Sequence, residues 1–200
     1  LAEDAPTIHE EAPDNVAFEW DVGDETATET TLEDADNVVE VDVDINRVMP
    51  TAMEPRAAAA RYDDATGDLS VALTTQNPHE MRADIAETLG IPEERIDARS
   101  PDVGGGFGGK LQPYPGYVLA AWCALDRKQS INWTATRTED LLSMVHSREH
   151  QVSVRVAVTD EGDIDGLRAD TVAPVGGFVV PGGALVPKNI GKMANGQYDI

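Results

Sequence analysis

An α+β fold, with short strands and isolated helices intermingled, is what the 200-residue sequence predicts. Three observations carry that expectation. VVEVDVDI at 38–45 and QVSVRVAV at 151–158 alternate strictly between apolar and polar residues, as half-exposed strands do. A capped segment at 77–90 and an apolar one after Pro115 have helical spacing. The elements also lack the regular strand–helix alternation of a parallel α/β protein, and no internal repeat organises them.

Residues 1–37 are acidic with little periodicity and form a first segment of uncertain order, although Phe18 and Trp20 offer anchors. Residues 38–200 form the second. In the strand at 38–45, Val39, Val41, Val43 and Ile45 share the face expected to be buried. Strands at 56–62 and 69–74 flank the turn Asp63-Asp64-Ala65-Thr66-Gly67. Asn77 is placed to cap a helix, with Pro78 at its first position and Glu80 completing a capping-box-like pattern. Met81, Ile85, Ala86 and Leu89 follow at helical spacing, and Gly90 ends the helix.

A short strand at 95–99 leads into a glycine loop at 104–109. After Pro113 and Pro115 a helix runs through Tyr117, Val118, Ala121, Trp122 and Leu125, then a strand at 130–136 and a short helix around Glu139 to Val145. Strands at 151–158 and within 164–173 flank the turn Asp160-Glu161-Gly162-Asp163. From Gly176 the chain is rich in Gly and Pro and is expected to be loop. The chain opens on Leu1, and neither end reads as a natural terminus, so a fragment of a longer protein is expected.

Acidic residues outnumber basic ones 37 to 15, a net charge of -22. The field has the wrong sign for nucleic acid or an anionic membrane. Residues 1–50 alone hold sixteen acids against Arg47. An acidic disordered leader would explain that stretch, but acids persist through the patterned segments and only four lysines occur. Adaptation to a high-salt cytoplasm, where self-repulsion is screened, is the favoured explanation. The one cysteine, Cys123, excludes a disulfide framework, a structural zinc site and an iron–sulfur cluster, and reads as a core residue. No apolar run is long enough to span a membrane and no signal-peptide pattern opens the chain, so a cytoplasmic protein is expected.

The sharpest feature is Val103-Gly104-Gly105-Gly106-Phe107-Gly108-Gly109-Lys110. Missing side chains let successive main-chain N–H groups approach a phosphate or oxo group. Gly104, Gly106 and Gly109 satisfy a dinucleotide-binding pattern, with Asp126 at a ribose-contact distance, but Pro113 and Pro115 delay the helix such a site needs. Gly104 to Lys110 satisfies the start of a P-loop, but Leu111 stands where magnesium needs Ser or Thr. A structural glycine turn is the third reading. A non-catalytic nucleotide-binding module therefore stays open at this level.

Three ordered motifs carry a resemblance. Arg99-Ser100-Pro101-Asp102 followed by the glycine loop and Lys110, Met53-Glu54-Pro55-Arg56, and Thr75-Gln76-Asn77-Pro78-His79 with Leu89-Gly90-Ile91-Pro92 closely resemble the xanthine dehydrogenase and aldehyde oxidase family of molybdenum hydroxylases. The resemblance covers about 38–200, with none found for 1–37. Tyr114-Pro115-Gly116-Tyr117-Val118, Arg137-Thr138-Glu139-Asp140-Leu141 and the closing Gly196-Gln197-Tyr198-Asp199-Ile200 are similar to the branch of aerobic carbon monoxide dehydrogenase large subunits. Purine-oxidising relatives carry a glutamate after the loop lysine, where this chain has Leu111.

The resemblance implies part of a molybdopterin-binding domain in a catalytic subunit oxidising carbon monoxide to carbon dioxide, or in a hydroxylase of another small substrate. It implies molybdopterin cytosine dinucleotide with molybdenum, and allows copper in the full enzyme, bound by a cysteine loop beyond Ile200. FAD and [2Fe–2S] clusters are expected on medium and small partner subunits, in a dimer of heterotrimers that can associate with the inner membrane face. Gln76 matches the glutamine whose amide approaches the molybdenum oxo ligand. Gly105, Gly106, Phe107, Gly108 and Gly109 match the segment lining molybdopterin and metal. Glu54 and Arg56 are expected to pair with each other, and His79, His146 and His150 to be packing or surface residues rather than metal ligands, although His146 and His150 have helical i, i+4 spacing.

Overall fold

The computed structural model describes residues 5–180 and 183–198. Its elements are α1 (Glu25–Asp34), β1 (Asn37–Asp44), β2 (Arg47–Val48), β3 (Ala57–Asp63), β4 (Asp68–Leu73), α2 (Pro78–Leu89), β5 (Ile96–Arg99), α3 (Pro115–Arg127), β6 (Ile131–Thr134), α4 (Arg137–Ser143), β7 (Ser147–Arg148), β8 (Gln151–Val158), β9 (Ile164–Val172) and α5 (Leu185–Met193). Helices and strands mix as an α+β fold requires. The chain divides into two compact units, residues 1–47 with 148–200, and 48–147, so the divisions fall at 47/48 and 147/148 rather than at residue 37.

In the central unit, β5-β4-β3-β6 form one sheet. The β3–β4 hairpin is antiparallel, with Ala60 opposite Val71, and β6 pairs antiparallel with β3. β5 returns parallel to β4, with Leu69 opposite Ile96, so β4-α2-β5 is a single βαβ crossover within an otherwise antiparallel sheet. Alternation along β3 and β4 turns Ala58, Ala60, Leu69, Val71 and Leu73 inward. They pack with Met81 and Ile85 of α2 and Tyr117, Ala121 and Ala124 of α3 in one core. Small residues on β3 let α3 lie close to the sheet. Tyr117 is fully buried, and its hydroxyl donates to the Thr74 carbonyl at 2.8 Å. Burial pushes that phenol up to about 12, so it stays a neutral donor.

Asn77, Pro78 and Gly90 act around α2 as expected, but Glu80 does not close a capping box: its carboxylate takes the Asn77 side-chain NH2, and Asn77 N–H donates to Thr75 Oγ1 at 3.2 Å. The Asn77 side chain accepts from Glu80 N–H at 3.3 Å, Pro78 starts the helix, and Gly90 ends it at φ 65. Asn77→Ala should cost ~1 kcal/mol of unfolding free energy in urea titration, since one N-terminal amide loses its acceptor. α4 starts earlier than predicted because Thr136 and Glu139 form a full capping box.

In the other unit, β1-β8-β9 form an antiparallel sheet, with Val41 opposite Val154 and Arg155 opposite Arg168. The acidic leader contributes a helix, α1, capped by Asp24, whose carboxylate accepts from Ala27 N–H at 3.0 Å. α1 covers the face that carries Ala157, Gly166, Arg155 and Arg168. A Cβ on Gly166 would lie 3.0 Å from Thr31, and Glu29 pairs with Arg155 and Arg168. This corrects the expected buried face of β1. Val39, Val41, Val43 and Ile45 point to the opposite face and are exposed, Val39 by 52%, because the only helix on the sheet lies on the other side among the described residues.

The segment after Gly176 is also more ordered than its composition suggests. α5 forms there, and Gly191 lies against the Trp20 ring, where any Cβ would collide. Gly and Pro dominate the flanks of α5 and mask its helical spacing in sequence. Asp199 and Ile200 of the closing motif lie outside the described residues.

Candidate cofactor-binding site

The glycine loop joins β5 to α3 in the central unit, and each end of it is tied down. Glu54 N–H donates to the Gly104 carbonyl at 3.3 Å, and the Glu54 carboxylate accepts from Gly104 N–H at 2.9 Å. At the far end, the Lys110 carbonyl accepts from Gln76 N–H at 3.1 Å and Thr75 Oγ1 at 3.0 Å. Tyr114 Oη donates to the Gly109 carbonyl at 2.6 Å.

Gln76 closes the loop from the middle. Its Oε1 accepts from Gly108 N–H at 3.0 Å and from Lys110 N–H at 3.2 Å. Two donors on one oxygen orient the amide, so the Gln76 NH2 group has no partner among the described residues and its side chain is exposed. Gly109 N–H turns back to the Gly106 carbonyl at 2.8 Å. Gly108 and Gly109 amides are thus engaged within the chain. The N–H groups of Gly105, Gly106 and Phe107 have no partner among the described residues. Three successive free donors and a free carboxamide NH2 thus lie in one loop region, a donor set suited to an acceptor without any charge.

Space explains the glycines. A Cβ at Gly104 would lie 2.6 Å from Glu54 Cβ, one at Gly106 2.5 Å from Gln76 Cδ, and one at Gly109 2.7 Å from Pro50. Gly105 has a φ of 97, which side chains rarely adopt. Phe107 is the exception, held at φ 52 with its ring 76% exposed. A non-glycine residue in that region costs ~1–3 kcal/mol and marks a functional position when its surroundings hold it there.

Lys110 lies at the end of the loop but faces away from these donors. It is wholly buried, and its ammonium donates to Glu54 Oε2 at 2.8 Å. Burial pushes the Glu54 carboxyl up, but Lys110 and the Gly104 amide outweigh it and hold the group below the ordinary carboxylate range. The pairing of Glu54 with Arg56 expected from sequence is therefore not formed. Arg56 instead donates from Nε to Asp140 Oδ1 at 2.7 Å, with both side chains buried, and its guanidinium lies 4.0 Å over the Tyr114 ring. Glu54 lies in a bend and Arg56 directly before β3, and each finds its own partner.

The buried Lys110 cannot reach a phosphate, which removes the P-loop reading. α3 begins at Pro115, five residues beyond Lys110, and Asp126 is an exposed helical residue, so the dinucleotide pattern lacks its geometry. Cys123 is half-buried rather than a core residue, because Trp122 beside it turns outward. His146 and His150 lie beyond the end of α4, so the helical spacing is not realised. His150 is buried, and desolvation, then Arg148, pushes its pKa down. No cluster of metal-ligating side chains occurs among the described residues. Asp140 and Tyr114, which brace the site, were not singled out as such, although both sit in the quoted motifs.

The Molybdopterin cofactor-binding domain family matches residues 8–200. The chain is 33% identical over 187 residues to the carbon monoxide dehydrogenase large chain of Hydrogenophaga pseudoflava, covering 93% of this chain and 23% of that one. It is 31% identical over 178 residues to the nicotine 6-hydroxylase large subunit of Paenarthrobacter nicotinovorans, covering 88% and 21%. A solved Cu,Mo-CO dehydrogenase in its carbon monoxide reduced state aligns with a TM-score of 0.76 and 30% identity, covering 85% of this chain and 23% of that one. The chain spans about a quarter of the length of the curated relatives it matches. The family match begins at residue 8, within the acidic segment that showed no resemblance in sequence.

Proposed function

The chain belongs to the molybdopterin cofactor-binding domain family, and from that premise we propose that it is part of the molybdenum-binding large subunit of an oxidoreductase that oxidises carbon monoxide to carbon dioxide with water as oxygen source. The observation that carries this reading is the set of free donors formed by Gly105, Gly106, Phe107 and the Gln76 NH2 group. It suits the oxo and pterin oxygens of a bulky, anionic cofactor, here molybdopterin cytosine dinucleotide. The exposed Phe107 ring offers an apolar face beside the donors. When bound, the molybdenum centre supplies the oxygen transfer and the two-electron chemistry.

The chain's own residues do three things. The amides of 105–107 donate to the cofactor without a mobile charge. Gln76 adds an amide N–H whose direction is set by the two loop amides on its oxygen. The hydrogen bonds that tie both ends of the β5–α3 connection keep these donors in place, which is how preorganised dipoles favour a developing charge. Leu111, in place of a glutamate after Lys110, supports a non-purine substrate. The same reading has FAD on a medium subunit and [2Fe–2S] clusters on a small one, in a dimer of heterotrimers, and allows copper in the full enzyme. It places the enzyme in the cytoplasm or at the inner membrane face. No helix among the described residues is long and apolar enough to cross a membrane. The net charge of -22 supports work at high salt.

The test is metal and cofactor analysis of the purified enzyme together with carbon monoxide-dependent dye reduction. Molybdenum, copper and a cytosine dinucleotide are expected with carbon monoxide turnover. Gln76→Ala should lower kcat by roughly 10²-fold with molybdenum retained; unchanged turnover would remove Gln76 from the site. The hydroxylase relative favours a second reading, a molybdenum hydroxylase of another small molecule. Molybdenum without copper, and turnover of an aldehyde or N-heterocycle but not carbon monoxide, would select it.

A further inference from the structure

We propose that Glu54 and Lys110 are positioning residues, a buried clasp that gathers both ends of the glycine loop onto one carboxylate and so holds the free amides of 105–107 toward the cofactor. The inference rests on the reading that this loop receives the molybdenum cofactor.

The geometry points to a clasp rather than an incidental ion pair. Glu54 Oε2 accepts both Gly104 N–H, at 2.9 Å, and Lys110 Nζ, at 2.8 Å. Those two residues are the first of the loop and the one that directly follows it. The Glu54 main chain holds the same Gly104 through its carbonyl, and Gly104 approaches Glu54 too closely for any side chain. Lys110 is wholly buried while Glu54 is only partly so. The lysine therefore has its charge sealed in by the carboxylate, and it offers nothing to a ligand directly. A buried pair of this kind adds little net stability over an apolar pair of similar size. What it does uniquely is fix distance. Gln76 and Tyr114 hold 108–110, Glu54 holds 104, and the segment left between them is the one with free donors and with Phe107 at positive φ. Without the near tie, Phe107 can relax to an ordinary conformation and turn those amides away.

The experiment uses the assembled enzyme and compares Glu54→Asp, Glu54→Gln and the double variant Glu54→Met/Lys110→Met. Melting temperature, molybdenum per chain, kcat and KM, and hydrogen exchange of the peptide spanning 104–110 are read for each. The double variant buries no lone charge, so its melting temperature should stay near that of the parent. Its loop peptide should nevertheless exchange about tenfold faster, in cofactor-loaded and cofactor-free protein alike. Where molybdenum loads, kcat should fall by on the order of 10²-fold with KM little changed. Glu54→Asp keeps the charge but loses reach, and should exchange like Glu54→Gln. A double variant with parental melting temperature and parental exchange overturns the clasp. So does Glu54→Asp matching the parent in both exchange and kcat. Absence of molybdenum from the parent enzyme would instead overturn the cofactor reading and leave the exchange comparison standing.

Discussion

Gly106→Ala should lower kcat by on the order of 10²- to 10³-fold while the melting temperature falls by only a few degrees. The added methyl would stand 2.5 Å from Gln76 Cδ and 2.7 Å from its Cγ, well inside contact distance. Either Gln76 swings away or the loop lifts. In both cases Oε1 loses Gly108 and Lys110 N–H, and the NH2 group loses its direction. The global fold has little at stake, because Gln76 is exposed and neither it nor Gly106 belongs to the hydrophobic core. The assay is steady-state turnover of the molybdenum-loaded enzyme beside a thermal melt. Turnover within threefold of the parent would mean that Gln76 and Gly106 do not meet in the working state. Gly108→Ala is the useful contrast: a Cβ there meets nothing, and only its φ of 85 resists the change.

That contrast also shows which parts of the site are legible in sequence. Period-two alternation places β8 with its observed bounds, and Asn77, Pro78 and Gly90 delimit α2, because capping is local chemistry. The five glycines announce a close approach, but not what approaches. Gly104 is small because of Glu54, fifty positions earlier, and Gly106 because of Gln76, thirty positions earlier. Such reasons are tertiary, and no local pattern carries them. The partner swap at Glu54 and Arg56 fails for the same reason. Charges two apart in sequence look like a pair, but Glu54 sits in a bend and the nearer partners, Lys110 and Asp140, come from distant parts of the chain. The valine face of β1 is illegible for a different reason. Alternation tells which residues share a face, and only the packing of α1 decides which face is covered. Resemblance supplied Gln76, since a polar residue before a helix has an ordinary capping role by itself.

Asp140→Ala should produce the largest loss of stability, ~3–5 kcal/mol, because it leaves a guanidinium buried without its counter-charge. Asp140 and Arg56 are among the most buried charged groups described, with side chains 2% and 4% exposed. Asp140 also accepts Arg56 N–H at 3.3 Å, so the strand entry to β3 and the start of α4 share one carboxylate. Arg56 further donates from Nη2 to Ser143 Oγ at 2.6 Å and rests on Tyr114, whose hydroxyl holds Gly109. The loop is therefore braced from beneath by this pair. A thermal midpoint lower by roughly 10 °C is expected, with turnover and molybdenum content falling together. That distinguishes Asp140 from Gly106, where turnover falls alone. The double variant Arg56→Met/Asp140→Leu, apolar throughout, should recover most of the stability without restoring full turnover, because Met can fill the space over Tyr114 but cannot bond Ser143. Recovery of both would mean that Arg56 packs the loop only as volume, and a midpoint unmoved in Asp140→Ala would mean that solvent reaches the guanidinium.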